Sequence, residues 1–315
     1  MSPVNPPPWN PILPPDLARK GQRVLELLSS YPSTLTAYSG GVDSTLVAVL
    51  AQRVGGRALA VTADSPSLPR EELALARQTA QTLGLNHRVI LGKEMADPAY
   101  QSNGLTRCYH CKGALYRQLK ELAQREEWGV ILNGTNLDDL GDYRPGLTAA
   151  QEQRVAQPLA EAGLTKADTR ALAQALGLPN WQKPAQACLA SRLPYGTAVT
   201  PQALAQVEQA EQTLRGLGFS QVRVRHHGTT ARIELPPEDM ARAWALGQDL
   251  ARAIKAAGFT FAALDLEGYR SGSLNEGQAT ESLVPVNHTA LPSKGPRGCD
   301  TPAAPNIPAD PEPKR

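Results

Sequence analysis

The chain has 315 residues, of which 41% are hydrophobic and 20% are charged. Its 32 Lys and Arg residues nearly balance 30 Asp and Glu residues, and the net charge of +2 argues against general attraction to nucleic acid or to an anionic membrane. No apolar run approaches the roughly 20 residues that cross a bilayer, and the first residues lack the basic and apolar regions of a secretory signal. We therefore expect a soluble, cytoplasmic protein of about two domains.

Proline marks both ends of the chain. Seven of the 27 prolines lie in residues 1–15, and eight more lie between Gly277 and Arg315. The C-terminal segment has few apolar residues to bury, so we expect a disordered tail over residues 277–315, which contains Cys299. This prediction leaves residues 16–276 to fold.

The folded part begins with strand and helix patterns that alternate. Short apolar runs predict strands, and apolar residues spaced three or four apart predict helices that end at glycines. The predicted strands are Leu35–Tyr38, Ala58–Thr62, Arg88–Leu91 and Gly129–Leu132, and the predicted helices cover 46–54, Glu71–Leu83 and Lys112–Arg125. This alternation is typical of the α/β class, with a doubly wound parallel sheet covered on both faces, here over residues 16–195.

The pattern changes after Gly196. A helical segment, two strands that read as a pair, a long helical segment and a last strand follow in order. Their predicted bounds are Gln202–Leu214, Val222–His226, Arg232–Leu235, Pro237–Ala257 and Phe261–Leu266. We expect a smaller α+β domain over residues 196–276.

A glycine-rich loop follows the first predicted strand. Two glycines allow a tight turn that brings backbone N–H groups close to a ligand, two serines can donate hydroxyl hydrogen bonds, and a helix N-terminus favours an anion. Asp43 would repel a phosphate but could hold Mg²⁺ beside one. The alternative is an ordinary turn between a strand and a helix. The loop consists of Ser39, Gly40, Gly41, Val42, Asp43 and Ser44.

The loop resembles that of the PP-loop ATP pyrophosphatases, an adenine-nucleotide α/β fold. This resemblance implies that the chain cleaves ATP to AMP and pyrophosphate. It also implies that Thr62, Asp64 and Ser65, at the end of the second strand, lie where the family holds adenosine.

Three cysteines lie in the part expected to fold. Cys108 and Cys111 form a CxxC pair that we expect just before a helix, and Cys188 lies in the segment ACLASR. The pair alone is ambiguous among a redox couple, half of a zinc site and chance, and no second CxxC exists. Three thiolates could hold a [4Fe–4S] cluster and leave one iron free, whereas the alternative is three small buried residues.

Seven stretches together resemble the LarE-type ATP-dependent sulfur transferases, and they cover nearly all of residues 16–276. They are SGGVDSTL at 39–46, RCYHCK at 107–112, NGTNLDDLGDYRPGL at 133–147, EAGLTKADTRALAQALGLP at 161–179, KPAQACLASRLPYGT at 183–197, RVRHHGTTARIEL at 223–235 and DLEGYRSGSLN at 265–275.

The resemblance implies a reaction and its cofactors. The family adenylates a carboxylate of pyridinium-3,5-biscarboxylic acid mononucleotide with ATP, and sulfur then displaces AMP to give a thiocarboxylate. The product leads to the nickel-pincer nucleotide cofactor of lactate racemase. Cys188 corresponds to the sulfur-bearing cysteine. Because Cys108 and Cys111 are also present, the chain resembles the members that hold a [4Fe–4S] cluster on three cysteines and draw on an external sulfide source, rather than those that give up the cysteine sulfur once.

Further site residues follow from the matched stretches. Arg223, Arg225 and Arg270 are expected to bind the substrate phosphate and carboxylates, although a solvated strand face is the alternative for the first two. Among the carboxylates Glu211, Glu234 and Asp239, which the family places near the cysteine, Glu211 is our first choice as a catalytic group, with an exposed helix face as its alternative.

The polar segment with Asp138, Asp139 and Asp142 is expected to line the ATP site or a subunit contact, and some relatives assemble as homo-oligomers.

Three other functions compete. A tRNA sulfur transferase would need a basic surface, which the net charge does not provide. An ammonia-using adenylating synthetase would leave the cysteines without a role, so replacing Cys188 would spare its activity. A non-catalytic nucleotide-binding or iron–sulfur scaffold would release no pyrophosphate in response to substrate.

Overall fold

The architecture comes from a computed structural model that describes residues 13–141 and 145–270. The proline-rich start up to residue 12, Asp142 and the tail with Cys299 lie outside the described residues. The part of the chain that is described contains no helix long and apolar enough to cross a membrane. By their contacts the described residues group into one unit, and the domain boundary near residue 195 stays a prediction.

The first sheet is parallel throughout, as predicted. Among the described residues it has four strands in the order β3-β2-β1-β4, and Leu35 of β1 pairs with Leu59 of β2 and Ile131 of β4. The strands are β1 (Ser33–Ala37), β2 (Arg57–Asp64), β3 (His87–Leu91) and β4 (Val130–Leu132). Each predicted strand is confirmed to within a few residues.

Helices cover both faces of this sheet. Consecutive residues of a strand point to opposite faces, so neighbouring residues pack against different helices. In β2, Leu59 and Val61 pack with the buried face of one helix group, whereas Ala60 packs with another. The first group contains α5 (Arg107–Arg125) and α7 (Pro145–Glu152), and the second contains α2 (Val42–Arg53) and α3 (Arg70–Thr82). The predicted α/β class is therefore confirmed.

Several helices of this half were not predicted. α1 has Pro15 at its start, where a missing N–H costs nothing, and α9 begins with a capping box at Thr165. Helix α7, of eight residues, was not predicted either, and the remaining ones span only one turn each. Their bounds are α1 (Pro15–Ser29), α4 (Pro98–Gln101), α6 (Leu137–Leu140), α8 (Pro158–Glu161) and α9 (Lys166–Ala175).

The second sheet is smaller and mixed. β5 (Arg223–His227) runs antiparallel to β6 (Thr230–Glu234), and β7 (Phe261–Leu264) runs parallel to β6. Its core is shared with α10 (Pro201–Gly216), α11 (Met240–Ala245) and α12 (Gly247–Ala256).

Two predicted elements of this part need correction. The helix expected over Pro237–Ala257 begins with a 3₁₀ turn and breaks at Leu246, immediately before the weak helix former Gly247. The last strand ends at Leu264 rather than Leu266, because a turn closed by the Gly268 N–H and the Asp265 carbonyl follows it.

The strand order creates a crevice at one edge of the parallel sheet. β1 is followed along the chain by β2 on one side, whereas β4 lies on its other side. Ligands of open α/β sheets bind beyond the carboxyl ends of the strands at such a reversal. The loops that follow β1 and β4 should therefore form the centre of the site.

Candidate active site

The segment Ser39–Ser44, which we call the phosphate loop after its predicted role, follows β1 and includes the first residues of α2. Close packing requires its glycine at position 40. Gly40 has φ +73°, and a Cβ there would lie 2.7 Å from the Ala76 Cβ. Helix α2 begins at Val42 behind Gly41, with no side-chain hydrogen bond at its N-cap. Its first N–H groups can therefore face an anion.

Serine hydroxyls complete this cradle. The Ser39 and Ser44 Oγ atoms lie 3.1 Å apart, and the Gly41 N–H points to Ser39 Oγ at 3.4 Å. Ser44 Oγ also accepts from the Ser39 N–H at 3.2 Å. These hydroxyl and N–H groups bind one another here, and the same groups can instead donate hydrogen bonds to phosphate oxygens. The arrangement therefore suits a nucleotide.

Residues after β4 hold the phosphate loop from the other side. They belong to the polar segment expected to line the ATP site or a subunit contact, although the sequence did not divide those roles by residue. A Cβ on Gly134 would lie 2.6 Å from the Ser44 nitrogen. The Asn136 amide donates to Asp43 Oδ1 at 3.2 Å, and Lys166 forms an ion pair with the other carboxylate oxygen. Asp43, which the sequence analysis gave as a group that could hold Mg²⁺, is thus oriented by two side chains distant in sequence.

A further pair of unpredicted residues binds the loop backbone. The buried Asn180 amide donates to the Gly40 carbonyl at 3.0 Å and to Thr45 Oγ1 at 2.8 Å. Lys183 lies 3.5 Å from the same carbonyl and 2.7 Å from Glu72. Both lie in or beside matched stretches of the sequence, which is the signal that could have indicated them.

The residues predicted to hold adenosine lie together at the carboxyl end of β2. Thr62 is buried, and its hydroxyl donates to the Tyr38 carbonyl at 2.8 Å. Asp64 forms an ion pair with Arg70, and Ser65 donates to the buried carboxylate Glu94. Their role toward adenosine stays a prediction.

The two CxxC cysteines lie inside a helix rather than before it. Helix α5 begins at Arg107, so Cys108 and Cys111 occupy its first turns. Burial raises the pKa of the Cys111 thiol to about 12, and the charges of Cys188 and Cys108 add to that rise. Cys111 and Cys188 both pack against the same hydrophobic core, whereas Cys108 is exposed.

The segment with Cys188 forms a tight turn next to the carboxyl ends of the parallel strands, where the nucleotide is predicted to bind and which we call the nucleotide edge. Cys188 precedes the 3₁₀ turn Leu189–Arg192, and the Leu189 N–H donates to the Ser67 carbonyl at 2.8 Å. Ser67 lies just beyond β2, at the same edge of the sheet as the phosphate loop. All three cysteines are free thiols. Over residues 13–141 and 145–270, no group of three or more His, Cys, Asp or Glu side chains is placed to hold a metal ion.

Glu211, the predicted catalytic carboxylate, is 1% exposed and lies on the buried face of α10. Arg192 binds both of its oxygens, at 2.8 and 3.0 Å, and the Val224 N–H donates to it at 3.1 Å. The alternative of an exposed helix face is therefore wrong. These contacts orient Arg192, whereas a catalytic role for Glu211 stays a prediction.

The predicted substrate arginines occupy different environments. Arg225 is 7% exposed, binds Glu234 with both its Nε and Nη2 atoms at 2.9 Å, and is therefore not part of a solvated strand face. The guanidinium of Arg223 lies 5.6 Å from the ring centre of Tyr269. Arg270 is partly exposed and forms an ion pair with Glu267 at 2.7 Å. Substrate binding by these arginines stays a prediction.

The remaining predicted carboxylates serve as helix caps or lie at helix starts. Asp139 completes a capping box with Asn136 at the start of α6, and Asp138 accepts from the Lys166 N–H at 2.9 Å. Asp239 ends the 3₁₀ turn that precedes α11.

Known proteins match this chain over most of its length. The asparagine synthase family model matches residues 32–104. An uncharacterized protein of Synechocystis is 46% identical over 263 residues, which are 82% of this chain and 98% of that protein. The pyridinium-3,5-bisthiocarboxylic acid mononucleotide synthase of Lactiplantibacillus plantarum is 39% identical over 82% of this chain and 95% of its own length. An uncharacterized protein of Methanocaldococcus jannaschii is 29% identical over 75% of this chain and 90% of that protein.

Proposed function

Because the chain belongs to the LarE family of PP-loop ATP-dependent sulfur transferases, we propose that it converts the carboxylates of pyridinium-3,5-biscarboxylic acid mononucleotide to thiocarboxylates. The product would serve the biosynthesis of the nickel-pincer nucleotide cofactor. The observation that carries this proposal is the hydrogen bond from the Leu189 N–H to the Ser67 carbonyl, because it holds the Cys188 turn at the nucleotide edge of the sheet.

The first step activates the carboxylate. A carboxylate oxygen of the substrate attacks the α-phosphorus of ATP, and pyrophosphate leaves. The N-terminus of α2 and the hydroxyls of Ser39 and Ser44 bind the phosphates, and Asp43 would hold Mg²⁺, which would offset the charge of the phosphates. Arg223 and Arg270 lie partly exposed and can bind the anionic groups of the substrate.

The second step transfers sulfur. A sulfur nucleophile at the Cys188 turn attacks the acyl carbon, and AMP leaves with the electrons of the broken carbon–oxygen bond. In a sacrificial route the Cys188 sulfur then leaves its Cβ while the Cα proton is lost, which gives dehydroalanine.

Three thiols favour a catalytic route over the sacrificial one. Cys108, Cys111 and Cys188 are free, come from two neighbouring elements and are the ligand type that iron–sulfur clusters require. A cubane binds each cysteine to a different iron, so its ligands stand further apart than those of a single ion. These residues would hold a [4Fe–4S] cluster, which would supply an exchangeable sulfide from an external source. The free thiols also suit a reducing compartment, and we propose that the protein acts in the cytoplasm. A homo-oligomer stays a prediction that rests on the resemblance alone.

Replacing Cys188 tests the proposal. Cys188→Ala should abolish thiocarboxylate formation and leave substrate-dependent pyrophosphate release within about threefold of wild type, because the turn contacts the nucleotide edge through backbone atoms. Full thiocarboxylate formation by this variant would refute the proposal. If wild type forms an amide from ammonia and Cys188→Ala forms it at the same rate, the protein is instead an adenylating synthetase.

Iron and sulfide analysis after anaerobic purification decides the sulfur source. We expect about four irons per chain, lost in Cys108→Ala, Cys111→Ala and Cys188→Ala. Iron-free protein that thiolates its substrate once and loses about 34 mass units at Cys188 would establish the sacrificial route instead.

A further inference from the structure

The backbone of the Cys188 turn is held by three buried guanidinium groups. Four of its carbonyl oxygens, within the five residues 187–191, accept hydrogen bonds from arginine side chains that start at three different places in the fold. Arg107 donates to Ala190 at 2.9 Å, Arg192 donates to Ala187 at 2.6 Å and to Cys188 at 2.9 Å, and Arg225 donates to Ser191 at 2.8 Å.

The three arginines differ in how their charges are balanced. Arg192 and Arg225 each bind a buried glutamate, Glu211 and Glu234 respectively. Arg107 is 4% exposed, and its guanidinium contacts the Asn103 amide oxygen, the Ala190 carbonyl and the ring of Tyr195. Burying a charge is costly unless it is hydrogen-bonded, so a buried guanidinium that binds neutral oxygens is stable only where those oxygens are held in place.

Arg107 is also the arginine that joins the two cysteine-bearing elements. It is the first residue of α5, directly before Cys108, and its guanidinium reaches a carbonyl two residues after Cys188.

Its partner Asn103 is fully buried with φ +55° and donates to the Pro194 and Thr197 carbonyls at 2.8 and 2.9 Å. A non-glycine residue with positive φ persists where its surroundings hold it firmly. The segment after the cysteine turn is therefore tied to the same point as Arg107.

From this geometry we propose that Arg107 is a positioning residue that holds the Cys188 turn against the start of α5, and so sets where the transferred sulfur meets the activated carboxylate. The inference rests on the proposed function for its consequence in catalysis, but not for the placement of the turn. Both hydrogen bonds leave the same nitrogen, Nη1, which donates to Asn103 Oδ1 and to the Ala190 carbonyl oxygen and so ties the turn to the segment before α5.

The test compares Arg107→Ala with Arg117→Ala, an exposed arginine on the same helix. The first readout is the alkylation rate of Cys188 by iodoacetamide in the full chain after chelation of iron, followed by peptide mass spectrometry. Losing a buried, charge-assisted hydrogen bond should loosen the turn and raise this rate about tenfold. Arg117→Ala should match wild type.

The second readout separates the two half-reactions. In Arg107→Ala, kcat for thiocarboxylate formation should fall about 100-fold with KM unchanged, as expected for a small displacement of a reacting group. Substrate-dependent pyrophosphate release should stay within about twofold, because the guanidinium contacts Asn103, Ala190 and Tyr195 rather than the phosphate loop. If Arg107→Ala does not fold, Arg107→Met is measured instead, because methionine keeps an unbranched side chain of similar bulk but has no N–H to donate, and the same outcomes apply.

Two results overturn the inference. One is an alkylation rate of Cys188 equal to that of wild type, and the other is a parallel loss of pyrophosphate release and sulfur transfer. If wild-type protein transfers no sulfur, the proposed function fails, whereas the alkylation rates still decide whether Arg107 holds the turn.

Discussion

Gly134 gives the sharpest test of how the phosphate loop is supported. A Cβ at this position would lie 2.6 Å from the Ser44 nitrogen and 2.8 Å from the Asp43 carbonyl carbon. Both atoms belong to the backbone of the first turn of α2, so no flexible side chain can move aside. To reach an ordinary contact of 3.4 Å, the segment after β4 and the loop must separate by about 0.8 Å.

We expect Gly134→Ala to affect activity more than stability. Overpacking of this kind costs about 1–3 kcal/mol of unfolding free energy. A shift of this size at the phosphate cradle should lower kcat for substrate-dependent pyrophosphate release by about 100-fold. Urea unfolding measures the first effect and a pyrophosphate assay measures the second.

Gly141→Ala is the matched control, since its Cβ would meet the Asp138 carbonyl oxygen at an ordinary 3.7 Å. It should keep wild-type pyrophosphate release. If Gly134→Ala also releases pyrophosphate at the wild-type rate and unfolds at the same urea concentration, the close packing of Gly134 against the loop is wrong.

Three more predictions follow from buried polar groups. Glu211→Ala leaves the Arg192 guanidinium buried without its carboxylate and should lower the unfolding free energy by about 3–5 kcal/mol in urea, so a loss below about 1 kcal/mol would contradict the buried pair. Asn180→Ala removes two hydrogen bonds to the phosphate loop and should reduce pyrophosphate release about tenfold, whereas an unchanged rate would show that the loop holds itself. Burial lowers the pKa of His87 and His226 below the usual value of about 6.5, so the unfolded chain binds more protons and stability should fall as the pH drops through about 6.5. The urea midpoint, measured about every half pH unit between about pH 7.5 and about pH 5.5, should show this fall for wild type and a smaller fall for His87→Asn. If the midpoint falls equally with pH in both proteins, burial does not lower the pKa of His87.

Local features of the active site could be predicted because their parts are adjacent in the chain. The loop Ser39–Ser44 needs only a strand before it, a helix after it and glycines that permit the turn. Strand and helix periodicity likewise depends on residues a few positions apart, and each strand of the parallel sheet was predicted to within a few residues.

The spacing of apolar residues did not predict where helices begin or break. The break at Leu246 and the helical position of Cys108 depend on which residues cap or interrupt a helix, and an apolar pattern does not report that. The one-turn helices α4, α6 and α8 are too short to show a period.

Contacts between distant residues decided the rest of the site. The Asp43 ion pair joins residues 123 positions apart, and the contact of Arg107 with the Cys188 turn spans 83 positions. The burial of Glu211 and Arg225 as ion pairs was equally invisible, since the same charges on a helix or strand surface read as solvated.

The amino-acid sequence by itself determined the α/β class, the glycine-rich turn between β1 and α2 and, through similarity to relatives, the family. Only the tertiary structure decided which charged groups bind one another and that the Cys188 turn lies at the nucleotide edge. The physical reason is that patterns along a chain record local geometry and burial, whereas hydrogen-bond partners are chosen when the parallel sheet brings together loops that are far apart in sequence.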